Sequence, residues 1–217
     1  MIRIGITGGI GSGKTYVSHL LQSLGVPVYD SDSRAKQLTV ADAGIRQGLM
    51  ALLGEQVYRH SKLNKDLLAS YLFASRENAD RVNAVIHPVV FRDFDRWCEQ
   101  AGTELVGLES AILFESGFDR HTDYVCVVSA PLELRIQRTM ERDGRDRAAV
   151  EARIQAQMDE REREERADYV IVNDGICPLL PQLEKMLQAL KARKNAGKII
   201  VVCKQLGCVV VTCRISI

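Results

Sequence analysis

Nowhere in the 217-residue chain does an uninterrupted apolar run approach the ~20 residues that a membrane helix requires, so no membrane contact is expected. The start, Met1-Ile2-Arg3-Ile4-Gly5, lacks the basic segment and long apolar stretch of a signal peptide; the expectation is a chain that stays in the cytoplasm. Excess charge of either sign is also missing. The 29 Lys and Arg and 28 Asp and Glu leave a net +1, which argues against a broad nucleic-acid surface while allowing a local basic pocket. The six cysteines, Cys98, Cys126, Cys177, Cys203, Cys208 and Cys213, form no C-x-x-C pair and have no nearby histidine. Reduced core thiols are expected, and a zinc site is not. What is present is an average globular composition, 46% apolar and 26% charged, long enough for one sizeable core with insertions.

Residues Ile2 to Ile6 read as a short strand running into a glycine cluster. Val17, Leu20, Leu21 and Leu24 then recur at helical spacing, with Gly25 as the stop and Pro27 blocking continuation. Val26 to Tyr29 is a second strand. Strand, loop, helix, strand is the opening of a parallel α/β sheet. From about Ser33 to Gln100 the pattern is mainly helical, with no strong strand. Val90, Phe91, Phe94, Trp97 and Cys98 form an apolar stripe beginning just after His87-Pro88, and Pro88 suits a first helical position. Leu105 to Leu108, Tyr124 to Val128 and Tyr169 to Val172 are short apolar runs suited to strands covered on both faces. A highly charged helical stretch spans Leu132 to Arg166, and a last helix carries Leu179, Leu183, Met186, Leu187 and Leu190. Beyond Gly197, two β-branched runs split by Gln205-Leu206-Gly207 read as an edge hairpin or an aggregation-prone extension, without evident chemistry.

Gly8-Gly9-Ile10-Gly11-Ser12-Gly13-Lys14-Thr15 satisfies G-x-x-x-x-G-K-[ST] between a strand and an amphipathic helix. Glycines let main-chain N–H groups turn toward phosphate oxygens without a Cβ in the way. The helix start adds its dipole and unpaired N–H groups. Lys14 supplies a point charge for the β- and γ-phosphates, and the Thr15 hydroxyl can ligate Mg²⁺. The expected nucleotide contacts are Gly9, Gly11, Ser12, Gly13, Lys14, Thr15 and the adjoining Tyr16. A dinucleotide fingerprint is excluded, because Lys14 and Tyr16 stand where it needs glycine. The chain is expected to bind a nucleoside triphosphate.

A GTP-dependent switch would carry D-x-x-G and N-K-x-D; Asn64-Lys65-Asp66-Leu67 places its aspartate one position early. A small-molecule kinase fits better. Asp30 and Asp32 follow the second strand, at the carboxyl edge where such sheets place ligands, and either could take a hydroxyl proton. The alternative for Asp32 is the N-cap of a helix over Ser33 to Leu38. Arg138 and Arg142, at i and i+4, point one way on a helix and suit phosphate oxygens, with pairing to Glu133, Glu141 or Asp143 as the alternative. Most of the run Asp159 to Arg166 reads as alternating charges on a solvated helix. Glu109 ends the Leu105 to Leu108 strand and is a candidate for water-mediated Mg²⁺ binding, with an unrelated edge carboxylate as the equal alternative. His87 could contact substrate or cap its helix. Asn173-Asp174-Gly175 could border the nucleotide base or form a plain turn.

Gly8 to Thr15, Val28-Tyr29-Asp30-Ser31-Asp32, Ile86-His87-Pro88 and Ile112-Leu113-Phe114-Glu115 together resemble the dephospho-coenzyme A kinases. So do Gln137-Arg138-Thr139-Met140-Glu141-Arg142-Asp143 and Ala167-Asp168-Tyr169-Val170-Ile171-Val172-Asn173-Asp174-Gly175, the whole spanning roughly residues 1 to 195. The chain departs from the family's usual pattern at Ala111, normally proline, and at Ser31, normally alanine; the tail has no counterpart. The resemblance implies transfer of the ATP γ-phosphoryl group to the ribose 3′-hydroxyl of dephospho-CoA, with Mg²⁺. It implies Asp32 as general base, Asp30, His87 and Glu115 beside the acceptor, and Lys14, Arg138 and Arg142 as catalytic cations. The expected architecture is a P-loop α/β parallel sheet flanked by helices, like the nucleoside monophosphate kinases. Its core is 1–33, 101–131 and 167–196, with a helical substrate cap at about 34–100, a helical lid at about 132–166 and an extension at 198–217. A nucleoside monophosphate kinase, or less readily a nucleotide switch, is the alternative.

Overall fold

The structure, a computed structural model, describes residues 1–60 and 62–196; the segment beyond Gly197, read as a hairpin or an extension, and three of the cysteines lie outside the described residues. In chain order the elements are β1 (Ile2–Thr7), α1 (Lys14–Ser23), β2 (Val28–Asp30), α2 (Ser31–Ala41), α3 (Ala43–Leu53), β3 (Tyr58–Arg59), β4 (Lys62–Leu63), α4 (Lys65–Ala74) and α5 (Arg76–Ala101). There follow β5 (Leu105–Glu109), β6 (Tyr124–Ser129), α6 (Leu132–Asp143), α7 (Arg147–Gln155), α8 (Glu160–Glu165), β7 (Tyr169–Val172) and α9 (Leu179–Ala196). The described residues divide into two compact units, one formed by Met1–Val28 with 103–196, the other by Tyr29–Gly102.

The first unit is built on parallel strands in the order β5-β1-β6-β7, with Val28 beside β5 at the edge. β1 runs parallel to β5, with Ile6 opposite Glu109, and parallel to β6, with Ile6 opposite Cys126; β6 in turn pairs with β7. Burial on both faces is why these strands read as near-continuous apolar runs. Ile4, Ile6, Val17, Leu21, Leu183 and Leu190 are wholly buried in one core that joins α1 and α9 to the sheet. Gly25, at a φ of +81°, ends the first helix as expected. The charged stretch from Leu132 is three separate helices, because Gly144 adopts a left-handed φ of +62° after α6 and Asp146 caps α7 by accepting from Ala149 N. Among the described cysteines, Cys98 and Cys126 are buried thiols, and burial pushes Cys126 up to about 12; Cys177 is half-buried and is not a core residue.

The second unit packs α2 to α5 around Ile45, Leu49, Val57, Leu68, Val82 and Val89. Two features depart from the sequence reading. A two-stranded antiparallel ribbon, β3 with β4, interrupts the helices, too short to leave a period in the sequence. Pro88 does not open a helix but lies inside the 26-residue α5. An internal proline costs about 3 kcal/mol. Burial of Val82 ahead of it, and of Val89, Val90, Phe94 and Cys98 beyond it, offsets that cost. Within this unit Asp93 accepts from Tyr29 Oη at 2.7 Å and from Arg34 Nε and Nη2 at 2.9 Å each, tying the start of α2 to α5. Burial, then the Asp93 carboxylate, pushes the Tyr29 hydroxyl well above its ordinary range.

Candidate active site

The glycine loop lies between the carboxyl end of β1, the central strand of its sheet, and α1. Gly13 occupies the N-cap of α1 with no side-chain acceptor, so the first N–H groups of that helix keep their capacity for an anion. Glycine is needed at position 11 on two counts. Its φ is +78°, and a Cβ there would lie 2.3 Å from the Arg135 carbonyl and 2.7 Å from Thr139 Oγ1, because α6 crosses directly over the loop. Lys14 Nζ donates to Gly8 O at 2.9 Å and to Gly9 O at 3.3 Å, lying along the cradle. Thr15 Oγ1 donates to Glu109 Oε1 at 2.9 Å, bringing together the two oxygen donors that the sequence picked separately. Ser12 Oγ is buried without a hydrogen-bond partner among the described residues, and Tyr16 is exposed.

Further residues of the same unit close on this loop. Asn173, just beyond β7, donates from Nδ2 to Ser12 O at 2.8 Å. Arg138 donates to Asn173 O at 3.1 Å and to Asn173 Oδ1 at 3.4 Å, so two residues picked separately meet beside the cradle. Asp174 forms the plain turn, accepting from Ile176 N and Cys177 N, and those bonds hold its carboxyl below the usual range. Arg142 is engaged elsewhere: its exposed guanidinium binds the neighbouring Asp143 at 2.7 Å. With Arg153 also bound, that carboxyl falls to about 2. Glu115 is exposed in the turns after β5 and accepts from Met158 N at 3.4 Å.

Arg135 was not singled out by the sequence, yet it is buried directly on the loop. Its Nε donates to Ile10 O at 3.0 Å and its Nη1 to Glu160 Oε2 at 2.6 Å. Arg163 Nη1 reaches the same carboxylate oxygen at 2.8 Å, and its side chain is only 1% exposed. The expectation of a solvated charged helix holds for Arg161, Glu162 and Glu165, which are exposed, and fails on the inner face of α8, where Arg163 is buried and Glu160 half-buried in an ion triad. Burial raises the Glu160 carboxyl against the opposing pull of the two arginines. Arg135 carried a signal after all: it shares the stripe Arg135, Ile136, Thr139, a charge on the apolar face of a helix.

In the second unit, Asp30 rather than Asp32 is the N-cap of α2: its carboxylate accepts from Ser33 N at 3.0 Å. Asp32 sits in the first turn of that helix, its carboxylate not required for the cap. His87 does not cap a helix; it lies within α5, half-buried, its ring 6.2 Å from that of Phe91, and burial holds its pKa below 6.5.

A glycine cradle at the end of a central parallel strand, with its lysine and a threonine–glutamate pair, puts this chain in the class of P-loop kinases. The fold agrees: a solved dephospho-CoA kinase from Campylobacter jejuni superimposes with a TM-score of 0.63 at 22% identity, over 88% of this chain and 98% of that one. A crystal structure of a Thermus thermophilus protein matches with a TM-score of 0.75 and 36% identity, over 88% of this chain and 97% of that one. A Bacteroides fragilis dephospho-CoA kinase is 49% identical over 190 residues, 87% of this chain and 93% of its own length. The dephospho-CoA kinase family model matches residues 2–178. The chain belongs to the dephospho-CoA kinase family. No helix among the described residues is long and apolar enough to cross a membrane.

Proposed function

We propose that this chain transfers the γ-phosphoryl group of ATP to the 3′-hydroxyl of the ribose of dephospho-CoA, giving coenzyme A and ADP, the last step of coenzyme A synthesis. The observation that carries this reading is the family match over residues 2–178, which runs without a break through the loop and the arginine-bearing helices above it. In the reaction a bond forms between the ribose O3′ and the γ-phosphorus, and the bond from that phosphorus to the β–γ bridging oxygen breaks. The hydroxyl proton passes to Asp32, and ADP departs. Positioning and charge dominate such a transfer, so Asp32 serves more to orient the hydroxyl than to remove its proton early.

The loop amides from Gly9 to Thr15 and the Lys14 ammonium hold the β- and γ-phosphates, while Tyr16 and Asn173 border the nucleotide. The adjoining oxygens of Thr15 and Glu109 suit Mg²⁺, a hard cation that binds few protein ligands and keeps water and phosphate oxygens; Thr15 would ligate it directly and Glu109 through water. When bound, the ion neutralises charge on the phosphate oxygens. Arg138 and Arg142 serve the transferred phosphoryl group, Arg142 by exchanging Asp143 for phosphate. Residues 34–100 act as the acceptor cap, 132–166 as the lid and the rest as the core. Asp30, His87 and Glu115 help to position the acceptor in the cytoplasm.

The test supplies purified protein and Mg-ATP with dephospho-CoA, with nucleoside monophosphates, or with no acceptor. ADP release that depends on dephospho-CoA is expected, and Asp32→Asn should lower kcat more than it changes ATP affinity. Turnover with a monophosphate alone, or hydrolysis indifferent to acceptor, would reject the assignment.

A further inference from the structure

The apex of the phosphate loop is held on both sides of one residue by side chains more than a hundred positions away. Ile10 O accepts from Arg135 Nε at 3.0 Å, and Ile10 N donates to Gln157 Oε1 at 2.8 Å. Gln157 belongs to the connection between α7 and α8, where it is half-buried. Arg135 is held in turn by Glu160, and Glu160 by Arg163, whose Nη2 donates to Met158 O at 2.8 Å, one residue beyond Gln157. The contacts therefore close a ring: loop apex, Arg135, Glu160, Arg163, the Gln157-Met158 segment, and back to the loop apex. Gly9 completes the fit, because a Cβ there would lie 2.0 Å from Arg135 Nη2.

We propose that Gln157 is a positioning residue, fixing the peptide of Ile10 so that the phosphate loop is already in its binding shape before ATP arrives. It touches no phosphate in this account; it acts through the loop. A glycine-rich loop has unusual backbone freedom, and ordering it on binding would draw on the binding free energy. An acceptor for the apex N–H and a donor for the apex carbonyl remove that freedom in advance. The ring also makes the loop's shape depend on the seating of α8. The inference deepens the proposed function and rests on the loop being an ATP site.

Amide exchange at Ile10, followed by NMR in the full-length protein without nucleotide, tests the pin without any catalysis. Gln157→Ala should speed exchange at Ile10 and leave Ile4 and Ile6 of β1 unchanged. Gln157→Glu keeps an oxygen acceptor and should keep Ile10 protected. Loss of one such bond should raise the ATP dissociation constant roughly three- to tenfold with kcat within about twofold, because the bond is made equally before and during the reaction. Ile10 exchanging at the wild-type rate in Gln157→Ala, or an unchanged ATP dissociation constant, would overturn the proposal. Should Gln157→Ala fail to fold, Gln157→Asn, one methylene shorter, answers the same question. Wild-type protein that pins Ile10 and binds ATP but does not phosphorylate dephospho-CoA would sink the proposed function and leave the pin standing.

Discussion

Arg138 and Arg142 lie one helical turn apart, and their partners separate them. Arg138 rests on Asn173 beside the loop, whereas Arg142 is spent on Asp143 in solvent. An exposed pair of this kind is worth little, so releasing Arg142 for phosphate costs little, but its contribution arrives only after that exchange. Arg138→Ala should accordingly lower kcat/KM for ATP by at least tenfold more than Arg142→Ala, a loss on the order of 1.4 kcal/mol in transition-state binding. Equal losses would place both arginines on the phosphates alike. Helical spacing made the two look equivalent; only the fold reveals which neighbour each one has. The same limit hid Arg135 and Gln157, whose partner Ile10 is distant in sequence. A different limit exchanged the roles of Asp30 and Asp32 at the cap, since two carboxylates two positions apart can each precede the same helix.

His87 carries a pH prediction. Burial holds its folded pKa below 6.5, so the folded state disfavours the imidazolium. Its contribution to stability is therefore present above the unfolded value and is lost as pH falls through that value toward the folded one. Between about pH 7.5 and 5.5, wild-type stability in urea should fall more steeply than that of His87→Asn. Parallel profiles would show that the imidazole does not sense its burial.

Among elements, α8 is where charge and packing meet. Glu160 lies between two guanidinium groups, one on α6 and one on its own helix, and removing it leaves both buried without a counter-charge. Glu160→Ala should destabilise the protein by about 3 kcal/mol, measured by chemical denaturation, with part of the loss appearing as faster exchange in α8. A change below roughly 0.5 kcal/mol, the range of ordinary surface substitutions, would mean that the triad is solvated. The charged run predicted a helix here but not the burial of Arg163, which reads like its neighbours in sequence. Elsewhere the elements were more legible: β1, α1, β5, β6 and β7 follow from apolar runs and glycine stops. The ribbon β3–β4 and the continuous α5 were not legible, the first too short for periodicity and the second carried past Pro88 by burial on both sides.

For the molecule as a whole, nucleotide binding and folding are linked. A ligand that binds only the folded chain stabilises it by about 2.7 kcal/mol at one hundred times its dissociation constant. For a chain of this length that corresponds to a rise in the thermal midpoint of roughly 5–10 °C. A non-hydrolysable ATP analogue with Mg²⁺ should produce such a rise in wild type and a much smaller one in Lys14→Ala. An equal rise in both would show that the ammonium does not hold the phosphates. The loop motif makes this triphosphate chemistry legible from sequence alone, whereas the acceptor was legible only through resemblance. No pattern of apolar residues distinguishes a cap that takes dephospho-CoA from one that takes another alcohol.

The acceptor is accordingly the point to test. Phosphorus NMR of the product formed from ATP and dephospho-CoA reads the outcome in one spectrum. A new phosphomonoester resonance on the ribose 3′-oxygen, growing in step with ADP, is the predicted result. ADP accompanied only by inorganic phosphate, or a phosphoryl group on any other atom of the acceptor, would contradict the account.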